Sequence, residues 1–187
     1  MHPLVSLAKK TVKNYISKGK IISPDKNLPK KFIQEKAGIF VTIKNQKELR
    51  GCIGTFLPTR KNIAEEVIQN AIAAATEDNR FKLIQKEELP KLSYSVEILS
   101  EPELVKNPKE LDPKKYGIIV KTAPIISSTK TDVVFNGHVP FKSGLLLPNL
   151  EGIDTPEKQF FIACQKAGID PSQEKIIIYR FTTRKYQ

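Results

Sequence analysis

Apolar residues recur at three- and four-residue steps through Leu4, Leu7, Ala8, Thr11, Val12, Tyr15 and Ile16, which predicts an amphipathic helix with Gly19 as its stop. One face of that helix should dock on a sheet. A linker with Pro24 and Pro29 follows, and then the β-branched and aromatic run Gly38 to Lys44 reads as a strand. Asn45 to Glu48 makes a polar turn, after which the strand leads into the segment Leu49 to Phe56, LRGCIGTF. Ile63, Ala64, Val67, Ile68, Ala71, Ile72, Ala74 and Ala75 predict a long alanine-rich helix preceded by Pro58 and Thr59. Its acidic residues Glu65 and Glu66 stand near the start, where the helix dipole favours them.

Leu92 to Leu99 alternates as a half-buried strand, with Leu92, Tyr94, Val96 and Ile98 on one face and Glu97 on the other. Gly117 to Lys121 is another strand. Thr122 to Ser143 lacks helical periodicity and holds only one short apolar triplet, Val133 to Phe135, so it reads as a long loop or protruding hairpin. Thr155, Pro156 and Glu157 mark a helix start and Gly168 a stop, with Phe160, Phe161, Ala163, Cys164 and Ala167 as the buried stripe. The apolar strand Ile176 to Phe181 closes the pattern and suggests that both termini belong to one structural unit. Strands and helices mix without a regular βαβ period, which predicts an antiparallel α+β architecture. Gly51 to Gly54 is not a phosphate loop, since the Lys-Ser/Thr pair of that motif is missing.

The chain's 187 residues suffice for one domain or two small lobes sharing a core, burying roughly 70% of the unfolded surface. With 40% hydrophobic and 27% charged residues it has an ordinary globular composition, and no apolar run approaches the ~20 residues that cross a bilayer. No uninterrupted apolar stretch with a small-residue cleavage site opens the chain, so a cytoplasmic protein without a membrane role is expected. Cys52 and Cys164 lie far apart in unlike contexts and are expected to be free thiols. The net charge of +11 invites a nucleic-acid reading. Lysine supplies nearly all of it and is scattered, while phosphate and base readers favour arginine's fork, so RNA or DNA binding ranks last among the functions considered.

In LRGCIGTF two glycines flank a thiol, with an arginine two residues before it. Glycines let a ligand or second lobe approach the backbone, and a thiol near arginine or a helix N-terminus has its thiolate favoured. Cysteine is equally at home in a core, and a thiol nucleophile needs a base that this chain hardly offers. Its histidines are His2, at an end expected to be flexible, and His138, in the long loop. Two histidines and two separated cysteines give no metal-ligand spacing, so neither a metal nor a cofactor is expected. Asp78, Arg80 and Glu97 are candidates for a charge network near the motif, and Cys164 reads as core.

LRGCIGTF, Ala73 to Ala75 and Glu77 to Phe81 together resemble the AMMECR domain family. The match continues through Tyr94 to Leu99, Tyr116 to Val120, Gly144 to Pro148, Lys166 to Gly168 and Tyr179 to Phe181. The run Leu145 to Asp154 looks like the prokaryotic branch, whose genes are often found with those of a Memo-like protein and a radical S-adenosylmethionine (radical SAM) protein. The resemblance implies one domain over residues 1–187, a two-lobed α+β fold with an antiparallel sheet flanked by helices in each lobe. The larger lobe is drawn from both termini, the smaller from a middle segment, and LRGCIG faces the cleft between them. The motif positions carried over are Arg50, Gly51, Cys52, Ile53, Gly54 and Thr55, then Asp78, Arg80 and Phe81, then Leu147 and Pro148. This chain departs from the pattern at Asn79 and Lys82, where prolines are usual, and in the roughly twenty-residue insertion that contains His138. The family resemblance leaves the chemistry open. An accessory or binding module acting with Memo-like and radical SAM partners comes first, and a cleft enzyme using Cys52 and Arg50 on a small or modified substrate second.

Overall fold

The computed structural model describes residues 1–123 and 142–187. His138 and the Val133 to Phe135 triplet lie outside them. Met1–Glu101 with Arg184–Gln187 form one compact unit, and Pro102–Thr183 form a second.

In the first unit, α1 (Pro3–Lys18) presents Leu4, Leu7, Ala8, Thr11 and Val12 to the core, as the spacing predicts, with Val5 beside them and Tyr15 and Ile16 partly buried. It stops at Gly19, whose φ of 64° is the left-handed cap that glycine adopts without strain. His2 is not a loose end. Its Nδ1 caps the helix by accepting the N–H of Leu4 at 3.3 Å, and its ring stacks on Tyr186 with centroids 3.8 Å apart. Burial, with the charge of Lys31 adding to it, holds the imidazole below its usual pKa. A five-residue helix, α2 (Lys30–Gln34), buries Phe32 within what the sequence reads as linker.

β1 (Ile39–Asn45) and β2 (Glu48–Thr55) form a hairpin whose two turn residues, Gln46 and Lys47, have φ of 49° and 77°. Both positive angles belong to the turn whose twist matches paired strands. The four-stranded sheet runs β2-β1-β3-β8, with β3 (Leu92–Leu99) and β8 (Thr183–Tyr186). Ile39, Val41 and Ile43 pair with Ile98, Val96 and Tyr94 on its inner face, beneath α1 and α3 (Ile63–Thr76). Gly51 lets α3 lie directly on β2, because a Cβ there would stand 2.0 Å from the carbonyl oxygen of Ala74.

The second unit holds the antiparallel sheet β4-β7-β5-β6, made from β4 (Glu103–Leu104), β7 (Ile176–Phe181), β5 (Gly117–Thr122) and β6 (Ser143–Leu146). Ile118, Val120 and Leu146 of the sheet share a core with Ala163 and Cys164 of α4 (Pro156–Ala167). The hydroxyl of Thr155 caps α4 by accepting Lys158 N–H at 3.2 Å, and Gly168 ends it at φ 64°. Two sequence expectations need correction. Phe161 is 60% exposed, because on a 3.6-residue period it stands about 100° from the face shared by Phe160, Ala163, Cys164 and Ala167. The strand Ile176–Phe181 belongs to the second unit, and β8 returns the chain to the first.

The protein is thus an α+β fold with two antiparallel four-stranded sheets flanked by helices. No helix among the described residues is long and apolar enough to cross a membrane.

Candidate functional site

LRGCIGTF, Phe56 apart, lies in β2, an edge strand of its sheet. Its pairing with β1 slips at Ile43/Lys44, so Ile43 faces Gly51 while Lys44 faces Leu49. Arg50 is the extra residue of that bulge. Its guanidinium grips both oxygens of Glu88, with Nε at 2.7 Å and Nη2 at 2.9 Å, and donates from Nη1 to the carbonyl of Lys82 at 2.8 Å. Glu88 sits on the short 3-10 helix Lys86–Lys91, and the arginine's hydrogen bond is the main reason its carboxyl lies below the usual range. Arg50 therefore staples β2 to the chain beyond α3, which leaves it little freedom to hold an outside anion.

Cys52 faces Thr42 across the hairpin, and Thr42 Oγ1 lies 3.3 Å from Sγ. The backbone of Cys52 points the other way, to the sheet's open edge. Its N–H donates to Asp78 Oδ2 at 2.8 Å, and its carbonyl accepts from Arg80 Nη2 at 3.3 Å. Asp78 and Arg80 in turn form a forked pair, Nε to Oδ1 at 2.8 Å and Nη2 to Oδ2 at 2.7 Å. Two side chains from the turn after α3 thus take the place that a neighbouring strand would fill. The Asp78 side chain is 4% exposed and that of Arg80 55%. The arginine's hydrogen bond is the chief cause that holds the Asp78 carboxyl down at about 2 against the opposing effect of burial, and the same bond raises the Arg80 pKa. Phe81 lies under the guanidinium, 5.5 Å from ring centroid to Cζ.

Ile53 packs on the core, and the alternation along β2 turns the N–H and C=O of Gly54 to the same edge as those of Cys52. The Phe40 ring covers Gly54, where a Cβ would come within 2.3 Å of it. Thr55 is tied inward, donating to Glu66 Oε1 at 2.7 Å and accepting from Asn70 Nδ2 at 3.2 Å. Glu66, read from the sequence as a helix-dipole residue, is fully buried. Its two oxygens also accept the N–H and hydroxyl of Thr59 and the N–H of Arg60, all between 2.7 and 2.9 Å. Nothing in the letters marks Glu66 or Asn70 for this work, because their partners come from a strand and a loop several residues away.

Glu97 shares the outer face with Cys52, but the register places it two strands across and two residues along, more than about 10 Å away. It is paired with Lys185 Nζ at 3.0 Å. Among the described residues, Thr42 is the sole hydrogen-bond partner of the Cys52 sulfur, and no three of His, Cys, Asp and Glu gather to hold a metal ion. Leu147 and Pro148 follow β6 and belong to the second unit, so Arg50, Cys52, Asp78, Arg80 and Phe81 make up the site described here.

This arrangement defines a class of α+β protein in which a Cys-Gly edge strand is clamped by an Asp-Arg pair. The chain belongs to the AMMECR1 family, whose model matches residues 5–186. A Thermotoga maritima protein is 44% identical over 187 residues, covering 100% of this chain and 98% of its own length. Protein CA_C1420 of Clostridium acetobutylicum is 41% identical over 189 residues, and the chain spans only 36% of that longer protein. The crystal structure of the uncharacterized protein PH0010 from Pyrococcus horikoshii superposes with a TM-score of 0.81 at 31% identity, covering 97% of this chain and 88% of that one.

Proposed function

We propose that this protein is a cytoplasmic accessory module that docks a protein partner, of the Memo-like or radical SAM kind, on the Cys52 edge of the first unit's sheet. One observation carries this reading. The motif's strong polar groups are spent on holding β2 in place, while the strand edge keeps an exposed guanidinium, that of Arg80, beside the backbone of Cys52 and Gly54. With the Cys52 backbone groups already taken by Asp78 and Arg80, such an edge meets a partner's carboxylate through the exposed guanidinium, and makes or breaks no bond. The Clostridium relative adds support, since the matched region there is covalently joined to a much longer chain.

A second reading, thiol chemistry at Cys52, is favoured by the Thr42 hydroxyl at 3.3 Å from Sγ and by the clamp that fixes the strand at that residue. In it Arg50 is a positioning residue, and Arg80 is the cation with room for an anion.

Affinity-tagged wild type, Arg80→Glu and Cys52→Ser proteins, incubated with the purified Memo-like and radical SAM proteins of the native host, separate the two readings. Docking predicts a complex with wild type and Cys52→Ser that Arg80→Glu weakens at least tenfold. A complex indifferent to Arg80→Glu, or turnover by the mixture that disappears with Cys52→Ser, overturns it.

A further inference from the structure

At the other side of the same sheet lies a hollow of about 460 Å³. Val5 and Lys9 of α1, Lys44 at the end of β1, Lys47 of the hairpin turn, and Leu92 and Tyr94 of β3 wall it. Ser93 and Ser95 also reach it, although they point to the opposite sheet face from Leu92 and Tyr94. The hollow therefore wraps the margin of β3 and is not confined to one face.

Its walls differ sharply in chemistry. Val5 and Leu92 are 3% and 6% exposed and form a recessed apolar floor. Lys9, Lys44 and Lys47 are exposed at the rim, no acidic side chain lines the hollow, which Met1 and Gln187 also wall, and among the described residues none of the three lysines has an ion-pair partner. Tyr94 is 8% exposed and its hydroxyl has no hydrogen-bond partner among the described residues. Burial pushes that phenol above its usual pKa, so at neutral pH it is a neutral donor. Tyr94 Oη is not sealed from solvent, since the one sealed and unpaired side-chain polar atom among the described residues is Gln159 Oε1, so the phenol is open to donate to a ligand's oxygen.

We propose that this groove binds a small organic anion, a carboxylate, sulfonate or phosphate on an aromatic or aliphatic body, with the anionic group at the lysine rim, the body on Val5 and Leu92, and an oxygen accepting from Tyr94. The volume falls in the range of small-molecule pockets, which are apolar with a few placed polar groups. A membrane surface is the poorer fit, because lipid binding needs several apolar side chains that protrude and here, Met1 apart, the apolar floor of Val5 and Leu92 is recessed. The groove stands apart from the Cys52 edge and owes nothing to the docking reading above.

The probe is 8-anilinonaphthalene-1-sulfonate, with N-phenyl-1-naphthylamine as its uncharged counterpart. Titration of the folded full chain should give saturable fluorescence with the sulfonate and at least tenfold weaker binding of the neutral compound. Amide shifts in a 1H–15N spectrum should concentrate at Val5, Lys9 and Leu92 to Ser95. Lys9→Glu combined with Lys47→Glu should weaken the sulfonate at least tenfold, and Tyr94→Phe severalfold. The charge reversals change exposed side chains, so their result stands even if Tyr94→Phe unfolds. Binding that ignores the charge reversal, or amide shifts centred elsewhere, overturns the assignment. So does lysine-dependent sedimentation with 1:1 phosphatidylglycerol/phosphatidylcholine vesicles when the soluble probe does not bind.

Discussion

The carboxylate of Asp78 accepts the backbone N–H of Cys52 at 2.8 Å while both its oxygens are held by Arg80. A buried acid thereby ties the turn after α3 to the outermost strand. Its pKa in the folded chain is about 2, against an ordinary 3.8. The acid is depressed on folding, so its stabilisation is complete above about pH 4 and is lost as pH falls through 2, amounting to about 2 kcal/mol. Urea midpoints from pH 7 down to 2 should show that loss in the wild type, and Asp78→Asn should lack it. Parallel pH profiles for the two proteins would mean that the clamp does not form.

Arg50 and Glu88 form a two-pronged pair with side chains 16% and 23% exposed. Lysine cannot reproduce the fork. Arg50→Lys should cost about 1–2 kcal/mol, nearly as much as Arg50→Ala, and an Arg50/Glu88 double-mutant cycle should return a coupling near 1 kcal/mol or more. A coupling indistinguishable from zero would remove the staple.

Gly51→Ala and Gly19→Ala test two different uses of glycine. At Gly19 nothing stands within 4 Å, and only the left-handed φ is strained, so about 1 kcal/mol is expected. At Gly51 the new methyl meets the Ala74 carbonyl, and the strand and helix must part. Thermal melts should show a loss of about 3 kcal/mol or more, or no folded protein at all.

Glu66→Gln keeps the size of the side chain and replaces one acceptor oxygen with a donor. That amide then faces the donors of Thr55, Thr59 and Arg60. A cost of about 2–4 kcal/mol is expected in chemical denaturation, and a near-neutral substitution would contradict the buried network.

The two thiols should separate cleanly under iodoacetamide at neutral pH. Cys164 is 1% exposed, and burial, aided by the charge of Glu174, pushes its pKa up. Cys52 is partly exposed. Mass spectrometry after brief treatment of the native protein should find the label on Cys52 and not on Cys164, with both labelled in denaturant.

Strong periodicity made much of the fold legible. α1, α3, α4, β1 and β3 stand close to where apolar spacing puts them, and Gly19 and Gly168 end their helices as read. β2 escaped recognition because Arg50, Gly51, Cys52 and Gly54 break the alternation that signals a strand, and its partner β1 supplies the register instead. β8 escaped for a related reason, since Thr183, Arg184 and Lys185 carry no apolar pattern. At the site, the sequence marks Asp78, Arg80 and Glu97 as candidates for a charge network near the motif, while Glu88 is invisible in it, lying 38 residues from the arginine it holds. Glu97 and Cys52 share a sheet face, but only the register shows how far apart they stand.

The backbone contact between Gly51 and Ala74 also bears on how force passes through the first unit. With no side chain to cushion the junction, β2 and the last turn of α3 must shift as one piece. The residues that grip the Cys52 backbone follow that turn by only a few positions. Anything that tugs on the strand's margin is therefore felt at once by the long alanine-rich helix, whose buried face spans the hydrophobic interior.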